Sequence, residues 1–349
     1  NVHKEYEVLN ISSETVSLFK DCFDRNGGLK QEDKIKWQFL QNPVGKQFVN
    51  IAIDRTNKVV AAIYAITPVH FKAGDKYVEG SQSLDTITDV NYRGKGLFVS
   101  LARDVYQKAE NDGIQLVYGF PNGSSIHGFA KKLAWKVLDP VPYLIRPLNS
   151  RYFTQKIGFL KWLPNVNLKW SGYRESKKYI IKSIWDLPQE TDVIWKAFAK
   201  TFQVGVVRDS SYLNWRYLQK PGEQYKYAAC YSQKQECLGF VIYVVKRKHG
   251  GKIGYVMELM YFPEYQDVGK QLLNYATHQM NKAGADCILA WCLEHSTNYS
   301  AYTTNGYMTL PEKIRPIELH FGCRSFGGDT TLLGDRTNWY LSYSDSDTV

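Results

Sequence analysis

The sequence lacks the patterns that mark several large protein classes. No run approaches the ~20 consecutive apolar residues that a membrane-spanning helix needs, so no span is expected. The six cysteines form no CxxC pair, and no histidine stands at zinc-ligand spacing from them. We therefore expect reduced structural thiols and no bound metal. A GxSxG motif is also missing, which argues against a serine hydrolase.

Acidic residues are in the minority, and basic residues are spread along the chain. Against 44 Lys and Arg stand 34 Asp and Glu, which leaves a net charge of +10 at pH 7. The densest basic cluster is Lys246, Arg247 and Lys248, so we do not expect a nucleic-acid partner. Such a surface favours smaller anionic partners such as phosphates and nucleotides. No secretory signal opens the chain, so a cytoplasmic protein is expected, and whether native residues precede Asn1 is left open.

The sequence does contain an internal repeat. Segments 35–43 and 213–221 share the pattern apolar-x-Trp-polar-aromatic-Leu-Gln-x-Pro. Strand-like runs, an amphipathic helix that ends at a glycine, a buried-type strand and a second helix follow each copy in the same order. The order predicts two α/β units, each with a mixed sheet flanked by helices. The strands expected before the first helix are 49–54, 59–66 and 69–71 in one copy, and 227–231, 238–245 and 254–260 in the other.

The repeat also sets the expected domain boundaries. The first unit covers residues 1–145, and the second covers residues 177–349. Residues 146–176 lie between them, in a region rich in Pro, Trp and Tyr. We interpret this region as a connecting segment, because it fits neither copy of the repeat.

A glycine-rich turn in the first unit carries the clearest chemical signal. Residues 86–98 leave a strand and enter a helix. Gly94 and Gly96 allow backbone N–H groups to turn toward one point, and the helix adds the positive end of its dipole. The side chains of Arg93 and Lys95 add two positive charges. The turn is neither a Walker loop nor a dinucleotide fingerprint, so it predicts a pyrophosphate cradle of another type.

Two segments of the first unit resemble the GNAT acyltransferases. The turn is similar to their motif A, Arg/Gln-x-x-Gly-x-Gly/Ala, which binds the pyrophosphate of CoA. Arg93 and Gly96 match this motif, whereas Phe98 stands where the last small residue is usual. Residues 121–135 resemble the PN-x-x-S…F-x-K-L-G-W form of the following strand and helix, with Ala134 in place of the usual glycine. The resemblance implies two tandem GNAT folds, with a catalytic domain at 1–145 and a degenerate one at 177–349.

The resemblance also implies a set of contacts to acyl-CoA. In the family the pantetheine arm runs between strands 4 and 5, where they splay apart. The donor would be acetyl-CoA by default, and a short hydroxyacyl-CoA is left open. In the second unit Asp267 and Val268 replace the first glycine and the lysine of the turn, so we expect one CoA per chain. The residues expected to contact CoA are Ile87, Thr88, Val90, Arg93, Gly94, Lys95, Gly96, Leu97, Phe98, Asn122, Ser125, Phe129 and Lys132.

Direct acyl transfer, which the family uses, requires a base that deprotonates the attacking amine. Asp85 lies just upstream of the turn, and strand alternation would place it on one face with Ser83 and Ile87. An acid in a mostly apolar strand is a suitable proton acceptor. His127 or a chain of water molecules is the alternative. Backbone N–H groups near Ile87 and Thr88 are expected to stabilise the oxyanion.

Two segments of the second unit point to the acceptor. Residues 208–217 and 339–347 resemble tandem GNAT enzymes that acylate nucleotide-linked amino sugars. That resemblance implies a dTDP- or UDP-linked amino-dideoxyhexose, used in surface polysaccharide such as the O-antigen of lipopolysaccharide. Aromatic faces would stack on a nucleobase or sugar, and an arginine would bind the diphosphate. Asp345 and Asp347 are interpreted as a solvated tail or a cap over the second domain. The residues expected to bind the acceptor are Trp37, Trp215, Arg216 and Tyr217.

Two other classes of function remain open. A tandem GNAT of the aminoacyl-tRNA-dependent peptidoglycan type shares the double fold but lacks the Arg-x-x-Gly turn that this chain has. Activity that depends on tRNA would favour that class. A non-catalytic acyl-CoA sensor would bind CoA tightly and acylate no amine. Because a tandem repeat mimics a GNAT dimer, a monomer is expected.

Overall fold

A computed structural model, which describes residues 2–168, 172–315 and 317–349, builds the chain on two mixed sheets with helices packed against them. The helices are α1 (Val2–Glu5), α2 (Val16–Arg25), α3 (Glu32–Ile35), α4 (Leu97–Asn111), α5 (Ile126–Lys132), α6 (Arg151–Lys156), α7 (Thr191–Phe198), α8 (Ser210–Leu213), α9 (Gln266–Lys282) and α10 (Tyr299–Thr304). The strands are β1 (Tyr6–Leu9), β2 (Phe48–Asp54), β3 (Val60–Ala73), β4 (Lys76–Thr88), β5 (Leu116–Gly119), β6 (Lys136–Leu138), β7 (Tyr143–Pro147), β8 (Ile180–Ile184), β9 (Val204–Val206), β10 (Lys226–Tyr231), β11 (Cys237–Lys248), β12 (Gly251–Tyr261), β13 (Cys287–Trp291), β14 (Met308–Thr309) and β15 (Phe321–Ser325).

The two sheets share one plan. The first runs β1-β2-β3-β4-β5-β15-β6, with β9 paired to β3, and the second runs β14-β7-β13-β12-β11-β10-β8. Among the described strands, neighbours are antiparallel except for one parallel pair in each sheet, β4 with β5 and β12 with β13. A crossover helix joins the strands of each parallel pair, α4 in the first half and α9 in the second. The predicted fold class, tandem mixed and mostly antiparallel sheets flanked by helices, is confirmed.

The two halves exchange strands. β7, which spans the expected boundary at residue 145, pairs with β13 and β14 of the second sheet. β15 lies late in the second unit, yet it is inserted between β5 and β6 of the first sheet. β9 connects the halves again, because Val206 pairs with Phe71 of β3. The domain boundaries stay a prediction, but the hydrogen-bonded sheets cross them.

The repeated tryptophan segments form matching π-helical turns, Lys36–Leu40 and Asn214–Leu218. The rings of Trp37 and Trp215 stack at a centroid distance of 4.5 Å. Each indole N–H donates to the backbone carbonyl of the other tryptophan, at 2.7 and 3.0 Å. The contact is therefore reciprocal, as across a two-fold axis, and it fixes how the halves meet.

One strand prediction was wrong. The runs 59–66 and 69–71 form a single strand, β3, although Pro68 lies between them. Proline donates no hydrogen bond to a ladder, which usually confines it to strand edges. Pro68 meets this condition, because β2 pairs with β3 only as far as Ile66 and β9 begins at Phe71. Among the described residues, β3 is therefore paired on one side only at this position.

The sequence also led to expectations about the cysteine thiols, membrane-spanning helices and metal sites. All six cysteines are free and buried, as expected for structural thiols. In the described part of the chain no helix has the length and apolarity to cross a bilayer. Nor do three or more His, Cys, Asp or Glu side chains come together there in a way that could hold a metal ion.

Candidate functional site

The glycine-rich turn between β4 and α4 has the geometry of an anion cradle. Gly94 and Gly96 have φ values of 79° and 74°, in the left-handed region that favours glycine. Gly96 is the N-cap of α4 and offers no side chain to the first N–H groups of that helix. The exposed side chain of Arg93 lines the same cavity as these glycines, whereas the Lys95 ammonium lies over the Tyr92 ring at 5.0 Å. The backbone donors, the helix dipole and the Arg93 cation therefore come together at one place.

Buried polar contacts hold the turn in position. The carboxylate of Asp89 accepts hydrogen bonds from Arg25 at 2.6 Å and from Asn26 at 3.1 Å. Burial alone would raise the pKa of Asp89, but these bonds and the one from the backbone N–H of Asn91 lower it. Asp89 is thus held as a carboxylate at the entrance to the turn.

A cavity of about 270 Å³, here called the turn cavity, lies over this structure. It brings together most of the residues that the sequence assigned to pyrophosphate binding. Val90 and Lys95 are exceptions. The side chain of Val90 is 60% exposed and does not line the cavity, and Lys95 lines a separate cavity beside Asp54 and Asp89. The lining residues are Thr88, Tyr92, Arg93, Gly94, Gly96, Leu97, Phe98, Val99 and Lys132.

Phe98, which departs from the GNAT motif, is accommodated by a glycine on the next helix. Its ring packs edge-on against Phe129 at 5.2 Å and in a tilted arrangement against Tyr64 at 5.9 Å, measured between ring centroids. A Cβ atom at Gly128 would lie only 2.7 Å from the Phe98 ring. The larger side chain therefore fills the space between α4 and α5 and leaves the glycines of the turn unobstructed.

The parallel strands β4 and β5 diverge as the resemblance predicted. They pair only at Ser81–Val117 and Gln82–Tyr118, and β15 occupies the other edge of β5. A cavity of about 260 Å³, the splay cavity, opens where the strands separate. Its lining residues are Phe23, Ser83, Leu84, Asp85, Thr86, Phe120, Pro121, Asn122, Ser125, Phe129, Trp135 and Asp347.

Three of the residues expected to contact CoA, namely Asn122, Ser125 and Ile87, contact other parts of the protein. The side-chain oxygen of Asn122 accepts hydrogen bonds from the backbone and the hydroxyl of Ser125, at 3.0 Å each. These bonds shape the loop before α5, which forms one wall of the splay cavity. Ile87 packs partly against the core beneath α2 and lines neither cavity.

Asp85 lies at a bulge in β4. The register against β3 shifts there, and Asp85 has a φ of 56°, which residues other than glycine rarely adopt. The bulge breaks the alternation that was expected to place Ser83, Asp85 and Ile87 on one face. The carboxylate of Asp85 forms an ion pair with Lys30. Asp85 is therefore half of an ion pair at the splay cavity, not a lone acid in an apolar strand.

His127, the alternative base, is exposed on α5 and lines none of the cavities at the turn, the splay or the interface of the halves. The carboxylates that do line the splay cavity are those of Asp85 and Asp347.

Asp347 is a functional candidate that sequence reasoning missed. It lines the splay cavity and also the cavity between the two halves, and Leu84 does the same. Desolvation by the surrounding protein raises the pKa of Asp347, and the negative charge of Asp85 raises it further. The residue is nevertheless open to the two cavities. It therefore lies where a group in one cavity can reach a group in the other.

Its neighbour Asp345 shows that residues 339–347 are not a solvated tail. Asp345 is 1% exposed and forms an ion pair with the buried guanidinium of Arg208 at 2.5 Å. Tyr118 of β5 donates a hydrogen bond to the same carboxylate at 2.8 Å. Arg208 also pairs with Glu258 at 2.9 Å. Residues 339–347 therefore contact both sheets, through Tyr118 of β5 and Glu258 of β12. These contacts could not be predicted from the sequence, because the partners lie more than 80 residues away.

The cavity between the halves, here called the interface cavity, has a volume of about 270 Å³. Most of the charged residues that line it are basic. Burial lowers the pKa of Lys220 well below its usual value, and the charges of Arg216 and Lys246 lower it further. Glu223 forms ion pairs with Lys34 at 3.2 Å and with Lys246 at 2.7 Å. The acidic groups of the lining are Glu223 and Asp347, and the basic groups are Lys30, Lys34, Arg216, Lys220 and Lys246.

Three of the four residues predicted to bind the acceptor line this cavity but are engaged in other contacts, and the fourth, Tyr217, does not line it. Trp37 and Trp215 are 6% and 5% exposed and stack on each other, so an inserted nucleobase would have to separate them. The guanidinium of Arg216 donates to backbone carbonyls in the segment 344–349. Tyr217 is 1% exposed. The expected stacking and diphosphate contacts are thus replaced by contacts between the halves.

The corresponding turn of the second half forms no cradle. Helix α9 begins one residue before Asp267, whose carboxylate accepts hydrogen bonds from Tyr179 at 2.8 Å and Lys178 at 3.0 Å. Gly269 lies inside the helix, where a Cβ atom would come within 2.5 Å of the Tyr261 ring. This glycine serves close packing, and the helix N-terminus is already occupied by a carboxylate of the chain itself.

The splay of the second sheet is filled by protein. The ring of Tyr343 lies 5.1 Å from Tyr255 of β12 and 5.0 Å from Trp291 of β13. These two strands pair only from Ile253 to Tyr255 on the β12 side. The segment that borders the open splay of the first half therefore packs into the equivalent region of the second.

Comparison with known proteins agrees with this geometry. Residues 11–138 match the family model described as Acetyltransferase (GNAT) domain. No curated protein sequence matches the chain. Among solved structures, N-myristoyltransferase of Saccharomyces cerevisiae with bound myristoyl-CoA aligns with a TM-score of 0.61 at 12% identity, over 92% of this chain and 79% of that one.

A second solved structure is similar over the same extent. A conserved protein of unknown function from Enterococcus faecalis V583, described as a probable N-acyltransferase, aligns with a TM-score of 0.63 at 12% identity, over 92% of this chain and 72% of that one. At such low identity these likenesses concern the fold. They show that both halves, and not only the matched residues 11–138, follow an arrangement found in other proteins.

Proposed function

We infer that this chain is a CoA-dependent N-acyltransferase, and we propose that it acylates the amine of an anionic, nucleotide-linked amino sugar. The enzyme class is supported by the GNAT match over residues 11–138 and by the fold shared with N-acyltransferases. The proposal for the site rests on one observation, that the splay cavity and the interface cavity meet at Leu84 and Asp347.

The proposed route for the donor runs from the turn to the splay. The pyrophosphate of CoA lies over Gly94 and Gly96, and its pantetheine arm passes between β4 and β5. Aromatic side chains line the end of that path, among them Phe23, Phe120 and Trp135. They favour a short acyl group, acetyl or a small hydroxyacyl, over a bulky one.

The proposed reaction is a direct transfer. The neutral amine nitrogen attacks the thioester carbonyl and the C–S bond breaks. CoA leaves as a thiolate, which becomes the thiol by taking up the proton that the nitrogen gives up. Backbone N–H groups of β4 beyond its last pair with β5, near Ile87 and Thr88, stabilise the negative charge on the carbonyl oxygen. Asp347 accepts the proton of the amine, because its raised pKa brings it closer to the working range of a base. Asp85, paired with Lys30, acts on Asp347 through its negative charge, which raises the pKa of Asp347.

The interface cavity supports an acceptor that carries both an amine and a negative charge. Its side toward the splay ends at Asp347, which suits the amine. Lys220, Lys246 and Lys34 line the cavity away from the splay. An anion bound beside Lys220 would offset the unfavourable burial of that ammonium group. A diphosphate with an amino sugar at one end has this distribution of charge.

The narrower assignment, a dTDP- or UDP-linked amino-dideoxyhexose for surface polysaccharide, draws on residues 208–217 and 339–347. These are the two segments that resemble amino-sugar acyltransferases, and they contact each other at the interface cavity through Arg216 and Ser344. Because acyl-CoA and nucleotide-linked sugars are cytoplasmic metabolites, the proposal places the reaction in the cytoplasm.

The experiment that tests this function is a matrix of acceptors and donors, followed by release of free thiol. It crosses dTDP- and UDP-linked amino sugars, free amino sugars, a peptide amine and aminoacyl-tRNA with acetyl-, hydroxybutyryl- and myristoyl-CoA. We expect release with a nucleotide-linked amino sugar and a short donor, and little with the free sugar, which lacks the diphosphate. Release with the peptide or with aminoacyl-tRNA alone would refute the sugar but keep the acyltransferase. Tight CoA binding without release from any amine would support the sensor instead.

A further inference from the structure

The segment that follows β7 exposes an unusual cluster of apolar side chains. Of the fifteen large apolar residues exposed in the described structure, five lie within residues 157–168, here called the apolar loop. Phe159 and Trp162 are 76% and 79% exposed. Scattered apolar side chains are normal on a protein surface, but a concentration of this kind marks a binding surface.

The apolar loop is held in one conformation by backbone contacts. At its base, Ser150 donates its N–H to the carbonyl of Val166 at 2.9 Å, and the N–H of Val166 donates to the Ser150 hydroxyl at 2.8 Å. At its tip, the N–H of Leu160 bonds to the carbonyl of Ile157, and that of Leu163 bonds to Leu160. The exposed aromatic side chains are therefore displayed by an ordered turn.

The inner side of the same segment is anchored in the core. Tyr152 and Phe153 on α6 are partly buried and pack against the large apolar cluster, which contains residues of both halves. Gly251, at the start of β12, approaches the Tyr152 ring so closely that a Cβ atom there would lie 2.8 Å away. One side of the segment is thus partly buried, and Phe159 and Trp162 are exposed to solvent.

The surroundings of the apolar loop are strongly basic. Residues 140–174 contain no Asp or Glu and six Lys or Arg. Beside α6 lies a cavity of about 390 Å³ lined by Arg151, Arg247, Lys248 and Lys252. Its one acidic residue, Asp286, already accepts hydrogen bonds from the backbone N–H of Lys252 and the side chain of Asn149.

We propose that the apolar loop and this basic cavity dock the protein on the surface of an anionic lipid bilayer. Aromatic side chains such as Trp162 are favourable at the boundary between headgroups and acyl chains. Lysine and arginine side chains around them are attracted to the phosphates of anionic lipids. A short ordered loop with exposed aromatic tips and a basic base satisfies both requirements.

A second copy of the chain fits this surface less well. In a two-fold contact the same patch faces itself, so the basic residues around the apolar loop would oppose one another. Like charges at close range are unfavourable, and no acidic group of residues 140–174 is available to compensate. A bilayer supplies the missing negative charge.

The test is co-sedimentation of the full chain with lipid vesicles. The variant Phe159→Ala/Trp162→Ala removes the aromatic tips, and Arg151→Gln/Arg247→Gln removes charge at the cavity. Trp185→Ala is the matched control, because Trp185 is 91% exposed but stands beside Asp186, outside the loop. Thermal unfolding and thiol release with soluble substrates establish that each variant is folded.

We expect binding to vesicles of phosphatidylcholine mixed with phosphatidylglycerol and much weaker binding to phosphatidylcholine alone. The aromatic variant should bind at least about 10-fold more weakly, and the control should bind as well as the original chain. The charge variant should lose its preference for phosphatidylglycerol, and added salt should have the same effect. Absence of vesicle binding, or binding that the aromatic variant leaves unchanged, overturns the proposal. So does a dimer in sedimentation analysis that the aromatic variant dissociates.

Discussion

The crossover helix between the parallel strands begins differently in the two halves. In the first half a turn with two left-handed glycines precedes α4, and the helix N-cap is Gly96. In the second half α9 begins at once, with Asp267 at its N-terminus paired to Tyr179 and Lys178. One helix end is thus open to an external anion, and the other is satisfied by a carboxylate of its own chain.

The space between the splayed strands is also open in the first half and filled in the second. Between β4 and β5 lies a cavity of about 260 Å³, whereas Tyr343 packs against the strands at the corresponding place in the second sheet. The sheet plan therefore does not by itself make a binding site. A binding site forms only where glycine leaves the N-terminus of the crossover helix accessible and where no side chain fills the space between the splayed strands.

The largest effect is expected from a substitution of Arg208. Its buried guanidinium forms ion pairs with Glu258 of the second sheet and with Asp345. Arg208→Met leaves two buried carboxylates without their cation, which should lower the free energy of unfolding by about 3–5 kcal/mol. Urea denaturation measures the change. Arg55→Met removes an exposed arginine and should have little effect. A small loss in the free energy of unfolding for Arg208→Met would mean that apolar packing alone holds the side chains that fill the space between β12 and β13.

A second prediction concerns Asp347, which belongs to the second unit by sequence but lines the splay cavity of the first. Asp347→Asn should lower turnover at least ~100-fold while CoA affinity is kept, because the proton acceptor is lost. The activity of the unmodified enzyme should rise with pH through the raised pKa of Asp347, since only the carboxylate accepts a proton. Steady-state kinetics across pH measure both effects.

The thermal stability of the same variant provides its control. The folded state binds a proton at Asp347 more tightly than the unfolded state does, so the ionised carboxylate disfavours folding above the unfolded pKa. Asp347→Asn should therefore keep or raise the melting temperature at neutral pH. If Asp85→Asn abolishes turnover and Asp347→Asn does not, the base is Asp85 and the role proposed for Asp347 is wrong.

A third prediction sharpens the contrast between the two helix ends. Arg93→Ala should weaken CoA binding about 10-fold, and more at low salt, because the contact is electrostatic. Isothermal titration calorimetry should give one CoA per chain. Asp267→Gly should not add a second site, since Gly269 lies within α9 and the second splay is filled. A stoichiometry of two in the original chain would remove the distinction between the halves.

The smallest expected effect is at Lys220, which the second half contributes to the interface cavity. Lys220→Met should raise the KM of the acceptor about fivefold, because it removes the buried amine that a bound anion would keep protonated. The KM of acyl-CoA should not change. Lys196→Met, at an exposed position of α7, serves as the matched control. An equal rise in both KM values would place Lys220 outside the acceptor site.

Local patterns predicted the fold class and the turn. Glycine spacing and the adjacent Arg93 and Lys95 identify the cradle, because backbone conformation and helix polarity are decided within a few residues. The repeat of the tryptophan segments predicted two related halves. Its most direct structural expression is the reciprocal contact of Trp37 and Trp215.

The acceptor side could not be predicted in this way. Arg216 and the two tryptophans were assigned to substrate because their side chains suit it, but residue type does not reveal that partners 128 to 178 residues away already occupy them. Asp85 illustrates the same limit, since its bulge and its pairing with Lys30 depend on how β3 and the loop between α2 and α3 meet β4. Asp347 was missed because nothing near it in the sequence indicates two cavities.

The exchange of strands has a consequence for how the chain is made. β15 is inserted between β5 and β6, so the first sheet cannot close until the ribosome has released residue 325. Until then the edges of β5 and β6 remain unpaired, and such edges invite aggregation. We expect the isolated segment 1–145 to be insoluble or to need a separate peptide containing residues 317–349. Synthesis of this protein should therefore depend on chaperones until its second half emerges.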